Sequence, residues 1–237
     1  MKARRMSQSV SKVASSQAIS ASAPALFHGL QDGEVRAMLD VATRRDYPAQ
    51  SWVYRQGEWA RHFFLVESGL VQLRLLTAEG QDILIRFVKS GEVFGHFTLA
   101  SGGSNVESAQ VIQPSQLVVW ERDIALQLLQ TIPQAAINLF DIAVRDSVYL
   151  YDRSRRLLTQ DVGHRVEFAL SELVRTIGIS TPGGIVIAHG IGQKELAELA
   201  GTTIFTVSRE LTKLQRLCIL EKQRGRIVVL QVEKLSA

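Results

Sequence analysis

Residues 193–214 read Gln-Lys-Glu-Leu-Ala-Glu-Leu-Ala-Gly-Thr-Thr-Ile-Phe-Thr-Val-Ser-Arg-Glu-Leu-Thr-Lys-Leu. Leu196, Leu199 and Ala200 set an apolar stripe on a first short helix, and Ala197 is small where a second helix must pass close. Gly201 suits the positive φ with which helices commonly end. Thr202 or Thr203 can then cap the next helix through its hydroxyl. In that helix Ile204, Val207, Leu211 and Leu214 fall on the buried side, which leaves Thr203, Phe205, Thr206, Ser208 and Arg209 facing out. The spacing is that of a helix-turn-helix, whose second helix fits the major groove of DNA. Two bundle helices could copy the periodicity, but they would not need the small residue, the glycine and the threonine cap at these offsets together.

Beyond this stretch, Cys218-Ile219-Leu220-Glu221 and Arg226-Ile227-Val228-Val229-Leu230 read as two strands. Lys222-Gln223-Arg224-Gly225 joins them, giving a wing with a basic tip. Arg209, Lys213, Arg216, Lys222, Arg224 and Arg226 stand here against only Glu210 and Glu221, a cluster suited to a polyanion. The chain-wide net charge of +4 is less informative than this local excess. The expected DNA-contacting residues are Thr202, Thr203, Phe205, Thr206, Ser208, Arg209, Lys213 and Arg224. Cys218 is the only cysteine, which excludes an intrachain disulfide and an iron–sulfur cluster held by four cysteines of one chain. A reducing cytoplasm fits, and Cys218 reads as a core thiol rather than a redox switch.

Upstream, no glycine or proline interrupts the chain from Pro133 to about Leu158, and Pro133 suits the first turn of a long helix. Ile137, Leu139, Phe140, Ile142, Val144, Val148, Leu150 and Tyr151 cover more than one face of it. Such a helix has to bury against two surfaces, and a second copy of itself is the natural second one. The polar run Asp152-Arg153-Ser154-Arg155-Arg156 reads as the hinge. A further helix is expected over about 161–176, then a short strand at Ile185-Val186-Ile187. Between about 43 and 121 the texture is of short strands, such as Phe63–Val66, Leu70–Leu75 and Ile83–Val88. Turns at Gln56-Gly57-Glu58, Glu67-Ser68-Gly69, Ala78-Glu79-Gly80 and Lys89-Ser90-Gly91 separate them. That pattern reads as a small barrel or jelly roll, with helices before it (Gln31–Ala42) and after it (Ile124–Leu129). The fold class is therefore α+β: a flexible tail (1–24), a β-barrel sensor domain (25–132), a dimerisation helix and hinge (133–158), and a winged helix-turn-helix domain (159–237). No run approaches the roughly 18 to 20 apolar residues of a membrane span.

With these parts in this order, the chain from about Leu26 to Leu235 resembles the CRP/FNR superfamily of bacterial regulators. The likeness is carried by Gly57, Gly69, Gly80, Gly91 and Gly95, by Gly91-Glu92-Val93-Phe94-Gly95, and by Ile191–Ala197 with Thr206-Val207-Ser208-Arg209. The resemblance implies a cyclic-nucleotide-binding-like barrel, a homodimer on a palindromic operator in double-stranded DNA, and RNA polymerase as downstream partner. It places the effector pocket at Gly95, His96, Phe97, Thr98, Glu107 and Ser108. The cyclic-nucleotide binders of the family carry Gly-Glu and then an Arg-Ser or Arg-Thr pair, where this chain has Gly95-His96 and Glu107-Ser108. A carboxylate in place of the phosphate-gripping arginine argues against cyclic AMP. The cysteine cluster of the oxygen-sensing branch is absent. Many members also carry glutamate where Phe205 stands; phenylalanine can meet a thymine methyl but cannot accept from cytosine. Arg209 matches the residue that reads guanine.

The signal stays open. A haem or nitrogen-oxide sensor would use His96 or His62 as axial ligand, and a constitutive regulator would need no ligand. A cupin-like enzyme would need a His/Glu metal cluster on neighbouring strands, yet no His-x-His spacing occurs and no catalytic triad or phosphate loop suggests itself. The chain is read as a non-enzyme.

Overall fold

The computed structural model of the protein describes residues 24–101, 103–187, 191–223 and 225–235. Apart from Pro24, the tail expected over 1–24 lies outside the described residues.

After α1 (Asp32–Asp40) come six strands: β1 (Thr43–Tyr47), β2 (Trp52–Tyr54), β3 (His62–Leu76), β4 (Asp82–Lys89), β5 (Val93–Phe94) and β6 (Ser108–Glu121). They form one antiparallel sheet of order β1-β6-β3-β4, with β2 also on β6 and β5 on β3. The sheet wraps an apolar interior of Phe64, Val66, Val71, Leu73, Phe94 and Val111 among others. Its outer face packs Phe63, Leu65, Val118 and Trp120 against α1, α3 (Arg122–Thr131) and α4 (Pro133–Thr159). The Trp120 indole N–H donates to the Met38 carbonyl at 2.7 Å, which satisfies the one polar atom of that buried ring.

β3 is a single strand where two were expected. The Glu67-Ser68-Gly69 segment is not a corner but an irregularity inside it, where the register against β6 shifts between Val66 and Val71. Before the shift, the even-numbered Phe64 and Val66 point into the barrel; after it, the odd-numbered Val71 and Leu73 do. An inserted residue reverses which face each side chain takes. Leu70 and Arg74 are thereby turned outward. Leu70 joins the core of the C-terminal domain, and Arg74 meets Glu198 there. Gly69 is what makes the bulge feasible. Its φ is +98°, and a Cβ there would run into Ser115 Oγ and lie 2.6 Å from the Pro114 carbonyl oxygen.

α4 starts with proline at its first position, as expected, and runs for 27 residues. Ala135, Asn138, Leu139 and Ile142 form its buried side. Asn138 Nδ2 donates to the carbonyls of Leu26 (2.9 Å) and His28 (2.7 Å), tying the start of the described chain to this helix. The run Asp152–Arg156, expected to be the hinge, is helical throughout. Asp152 accepts from Arg155 (2.6 Å) and Arg156 (2.7 Å), and helical geometry ends only at Gln160. These i,i+3 and i,i+4 pairs support a helix rather than break it.

The Asp161 carboxylate then caps α5 (Val162–Ile177) by accepting from the N–H groups of Gly163 and His164. β7 (Gly178–Thr181) and β8 (Gly184–Ile187) lead to α6 (Gln193–Ala200), α7 (Ile204–Arg216), β9 (Leu220–Gln223) and β10 (Arg226–Val229). The second sheet has the order β7-β8-β10-β9. Leu170, Leu173, Leu196, Val207, Leu211 and Leu220 close the core between it and the helices.

Replacing Gly69 by alanine combines an unfavourable φ with a backbone collision. We expect Gly69→Ala to cost at least about 2 kcal/mol in urea unfolding; a loss below about 0.5 kcal/mol would show that the bulge tolerates a side chain.

Candidate DNA interface and effector site

Gly201 ends α6 in the left-handed region (φ 59°, ψ 49°), and Thr203 opens α7 with its Oγ1 accepting from the Thr206 N–H at 3.2 Å. Val207, Leu211 and Leu214 are buried against α5 and α6. Ile204, expected on the buried side, is 48% exposed because it stands in the first turn, beyond the edge of that core. Phe205 is 88% exposed, and Arg209 and Lys213 are exposed beside it. Phe205, Ser208, Arg209, Thr212, Lys213 and Arg216 line one concave face of α7. Glu210 stands 3.4 Å from Arg209 and 3.9 Å from Lys213, long pairs of the kind that contribute little at a surface. Thr203 and Thr206 lie hydroxyl to hydroxyl at 3.1 Å, so both are engaged at the cap. Thr202 is partly buried. Lys222 donates from β9 to Thr212 Oγ1 at 2.8 Å and braces α7. Arg224 lies outside the described residues. Cys218 is exposed with φ +56°, in the turn before β9, so it is not the core thiol expected; Ile219 takes the buried place.

The six residues expected to form an effector pocket divide into two groups. Gly95 (φ +75°) leads into α2 (Phe97–Ser101). His96 and Thr98 are buried there, while Phe97 is 48% exposed. The Thr98 carbonyl accepts from Arg122 Nε at 2.9 Å. Glu107 is buried at the start of β6, and Ser108 Oγ accepts from the Gln56 N–H at 2.9 Å. What relates them is a pair of groups that the sequence reading passed over, Arg86 of β4 and Asp146 of α4. Arg86 donates to Asp146 Oδ2 at 3.1 Å and to the Val93 carbonyl at 3.2 Å. His96 Nε2 sits 3.7 Å from the same carboxylate oxygen, too far for a hydrogen bond. Neither ring nitrogen of His96 has a hydrogen-bond partner among the described residues. Burial lowers the His96 pKa, partly offset by Asp146, with Arg86 lowering it further. Burial pushes the Glu107 carboxyl up to about 7, opposed by Arg86 and reinforced by Asp146. Two signals for these groups existed: a charge inside the apolar run Ile83–Val88, and an acid on the helical stripe of Leu139 and Ile142.

Other features bear on a haem. His62 is partly buried, with its ring 6.0 Å from that of Phe64, and burial lowers its pKa. The His96 ring packs on Phe97 at 4.8 Å, with Arg86 and Asp146 alongside. Among the described residues there is no group of three or more His, Cys, Asp or Glu placed to hold a metal.

A second set of charges ties the two domains together. Arg74 is 4% exposed; it pairs with Asp82 at 2.8 Å and with Glu198 of α6 at 2.7 Å. Glu198 Oε2 also accepts from the Leu84 N–H at 3.2 Å. From α4, Arg153 donates to the carbonyls of Leu84 and Ile85 (3.0 Å each) and of Glu198 (2.9 Å). Sensor sheet, long helix and helix-turn-helix thus meet at one glutamate.

The raised Glu107 pKa fixes the sign of a pH effect. Its stabilising share is fully present below the ordinary value of 4.5 and is lost as pH rises through about 7. Glu107→Gln keeps the neutral form at every pH. We expect the variant to match the native protein near pH 4.5 and to exceed its stability by about 3 kcal/mol at pH 8 in urea titrations. A difference that does not change with pH would contradict a buried, neutral carboxyl.

Comparison with known proteins bears on both halves. Residues 44–132 match the cyclic nucleotide-binding domain family, and residues 164–237 match the Crp-like helix-turn-helix domain family. Over 212 residues the chain is 31% identical to the cyclic AMP receptor protein of Thermus thermophilus, covering 89% of this chain and 94% of that relative. FixK2 from Bradyrhizobium japonicum superposes with a TM-score of 0.70 at 25% identity, over 82% of this chain and 96% of that one. The c-di-GMP responsive global regulator CLP from Xanthomonas campestris also gives 0.70, at 26% identity, over 84% and 99%. A sensor-type sheet, a long helix and a winged helix-turn-helix in one chain, with relatives along nearly its whole length, lead to one conclusion: this DNA-binding transcription regulator belongs to the CRP/FNR superfamily.

Proposed function

We propose that the chain acts as a homodimer on a palindromic operator and that its signal is read around His96, Glu107, Arg86 and Asp146. One observation carries the dimer. Ile137, Phe140, Val144, Val148, Tyr151 and Leu158 of α4 recur at spacings of three, four and seven residues, and all are exposed in the single chain. A seam of that period is completed by a second copy of the same helix. Each large side chain buried there contributes about 1.5–3 kcal/mol. Two copies of α7 then present Phe205, Ser208, Arg209 and Lys213 to successive major-groove half-sites, with Arg209 on guanine and Phe205 against a thymine methyl. Arg224, which follows β9 in the sequence, would add a phosphate contact. RNA polymerase is the downstream partner and the cytoplasm the compartment; among the described residues no helix is long and apolar enough to cross a membrane.

A relative bears the name of a cyclic AMP receptor, but the local chemistry here favours a different effector. Glu107 cannot offer the guanidinium fork that grips a phosphate. Burial pushes its pKa up to about 7, so part of the population is neutral near neutral pH and the repulsion is smaller than for a fixed carboxylate. The missing donor is the stronger objection. Haem does not fit His96 well either, since the ring is packed on Phe97 and flanked by an ion pair. A constitutive regulator is the second reading; it is favoured by Tyr54, Phe64 and Phe94, whose rings occupy the barrel interior with Phe64 and Phe94 stacked at 4.8 Å. The matched relatives are regulators, and we assign no catalytic activity.

Two experiments test the proposal. Arg209→Ala should weaken operator binding by about 1–3 kcal/mol at fixed salt and relax preference at one base pair per half-site; unchanged affinity and specificity would remove α7 from the reading role. The double variant Phe140→Glu/Val148→Glu should sediment as a folded monomer and lose operator affinity at least tenfold. A dimer that survives both charges would place the interface elsewhere.

A further inference from the structure

A cleft of about 350 Å³ lies in the seam between the sensor sheet and the C-terminal domain. Phe87, Val93, Ile142, Leu173 and Leu199 give it apolar walls drawn from β4, β5, α4, α5 and α6. Most of the charges on its rim are already matched. Arg86 pairs with Asp146 at 3.1 Å, and Arg175 pairs with Glu172 at 2.8 Å. Glu92 stands 3.6 Å from the same Arg86, which leaves Arg145 as the cation of the rim without a carboxylate partner among the described residues. It donates only to the Asp141 carbonyl of its own helix, at 3.3 Å. One turn further along the same side stands Tyr149, whose ring is half-buried and whose hydroxyl makes no hydrogen bond among the described residues. The volume falls within the range of small-molecule sites, and the wall has their usual make-up: mostly apolar, with a few convergent polar groups.

We propose that this cleft binds a small organic anion with an apolar body. Its acidic group is taken by Arg145 with the Tyr149 hydroxyl beside it, and its hydrocarbon part lies on Phe87, Val93, Ile142 and Leu173. The site shares the Arg86–Asp146 pair on its rim with the cluster around His96 and Glu107, but the groups that take the anion, Arg145 and Tyr149, lie outside that cluster, so the site stands whether or not His96 and Glu107 sense anything. Because its walls come from both domains and from α4, an occupant binds only while the C-terminal domain sits against β4. Occupancy therefore holds that seat.

The probe is 8-anilinonaphthalene-1-sulfonate, an aromatic anion whose fluorescence rises in apolar sites, with uncharged N-phenyl-1-naphthylamine as its control. Titrated into the full-length protein, the sulfonate should saturate at one per chain. Arg145→Gln, an exposed change that leaves the core intact, should weaken it at least fivefold and leave the uncharged probe unchanged. Thr176→Trp, which places an indole in the cleft from α5, should abolish the binding of both while the folded signal in circular dichroism is retained. If the tryptophan variant fails to fold, Arg145→Gln alone decides. No saturable binding to the native protein, or equal sulfonate affinity in Arg145→Gln, overturns the proposal.

Discussion

The bulge at Glu67–Leu70 is the constraint on which the remaining architecture depends. An uninterrupted strand would carry one alternation from His62 to Leu76, directing Leu70 into the barrel and Val71 out of it. The shift at Gly69 instead lets one strand serve two cores, the barrel interior through Val71 and Leu73 and the C-terminal domain through Leu70. It also aims Arg74 at Glu198. A guanidinium this deeply buried is tolerable only because two carboxylates and the Gln72 side chain satisfy it. The junction therefore specifies where α6 docks more than it stabilises the fold.

α4 connects that junction to the ionisable cluster. Asp146 faces Arg86 and His96 at the sensor end, and Arg153, two turns further along, holds Leu84, Ile85 and Glu198. In the proposed signalling reading, a change of charge around His96 and Glu107 would be felt at Asp146, which lies 3.7 Å from His96 Nε2. Asp146 cannot move without the helix that carries Arg153. The coupling is a rigid element with charged contacts at both ends, and it needs no longer chain of side chains.

Local chemistry was legible in the sequence where it is local in the fold. The helix-turn-helix declared itself because glycine, threonine cap and apolar stripe fall within 22 residues, and α4 because nothing in it interrupts a helix. Glu67-Ser68-Gly69 misled because a turn and a bulge call on the same residue types; only the partner strand distinguishes them. The polar run at 152–156 read as a hinge, since the bonds of Arg153 to Leu84, Ile85 and Glu198 join positions far apart in the chain. Arg86 and Asp146 escaped for the same reason, being 60 residues apart. Ile204 and Cys218 show the limit of pattern reading at element ends: the first turn of α7 lies beyond the edge of the core, and the turn before β9 leaves Cys218 exposed.

The docking of α6 also says where control has to act. Glu198 fastens the first helix of the motif to the sensor, yet Phe205, Arg209 and Lys213 on α7 remain exposed. Within one chain the N-terminal domain does not cover these residues, so in the proposed function a signal has no intrachain cover to remove from them. In the proposed dimer the remaining variable is the separation and orientation of the two α7 helices, which have to meet half-sites about 34 Å apart. In that dimer the seat set by Arg74 and Arg153 would fix this geometry. On the proposed function, a change of seat would alter operator affinity while leaving the proposed DNA-contacting side chains unchanged.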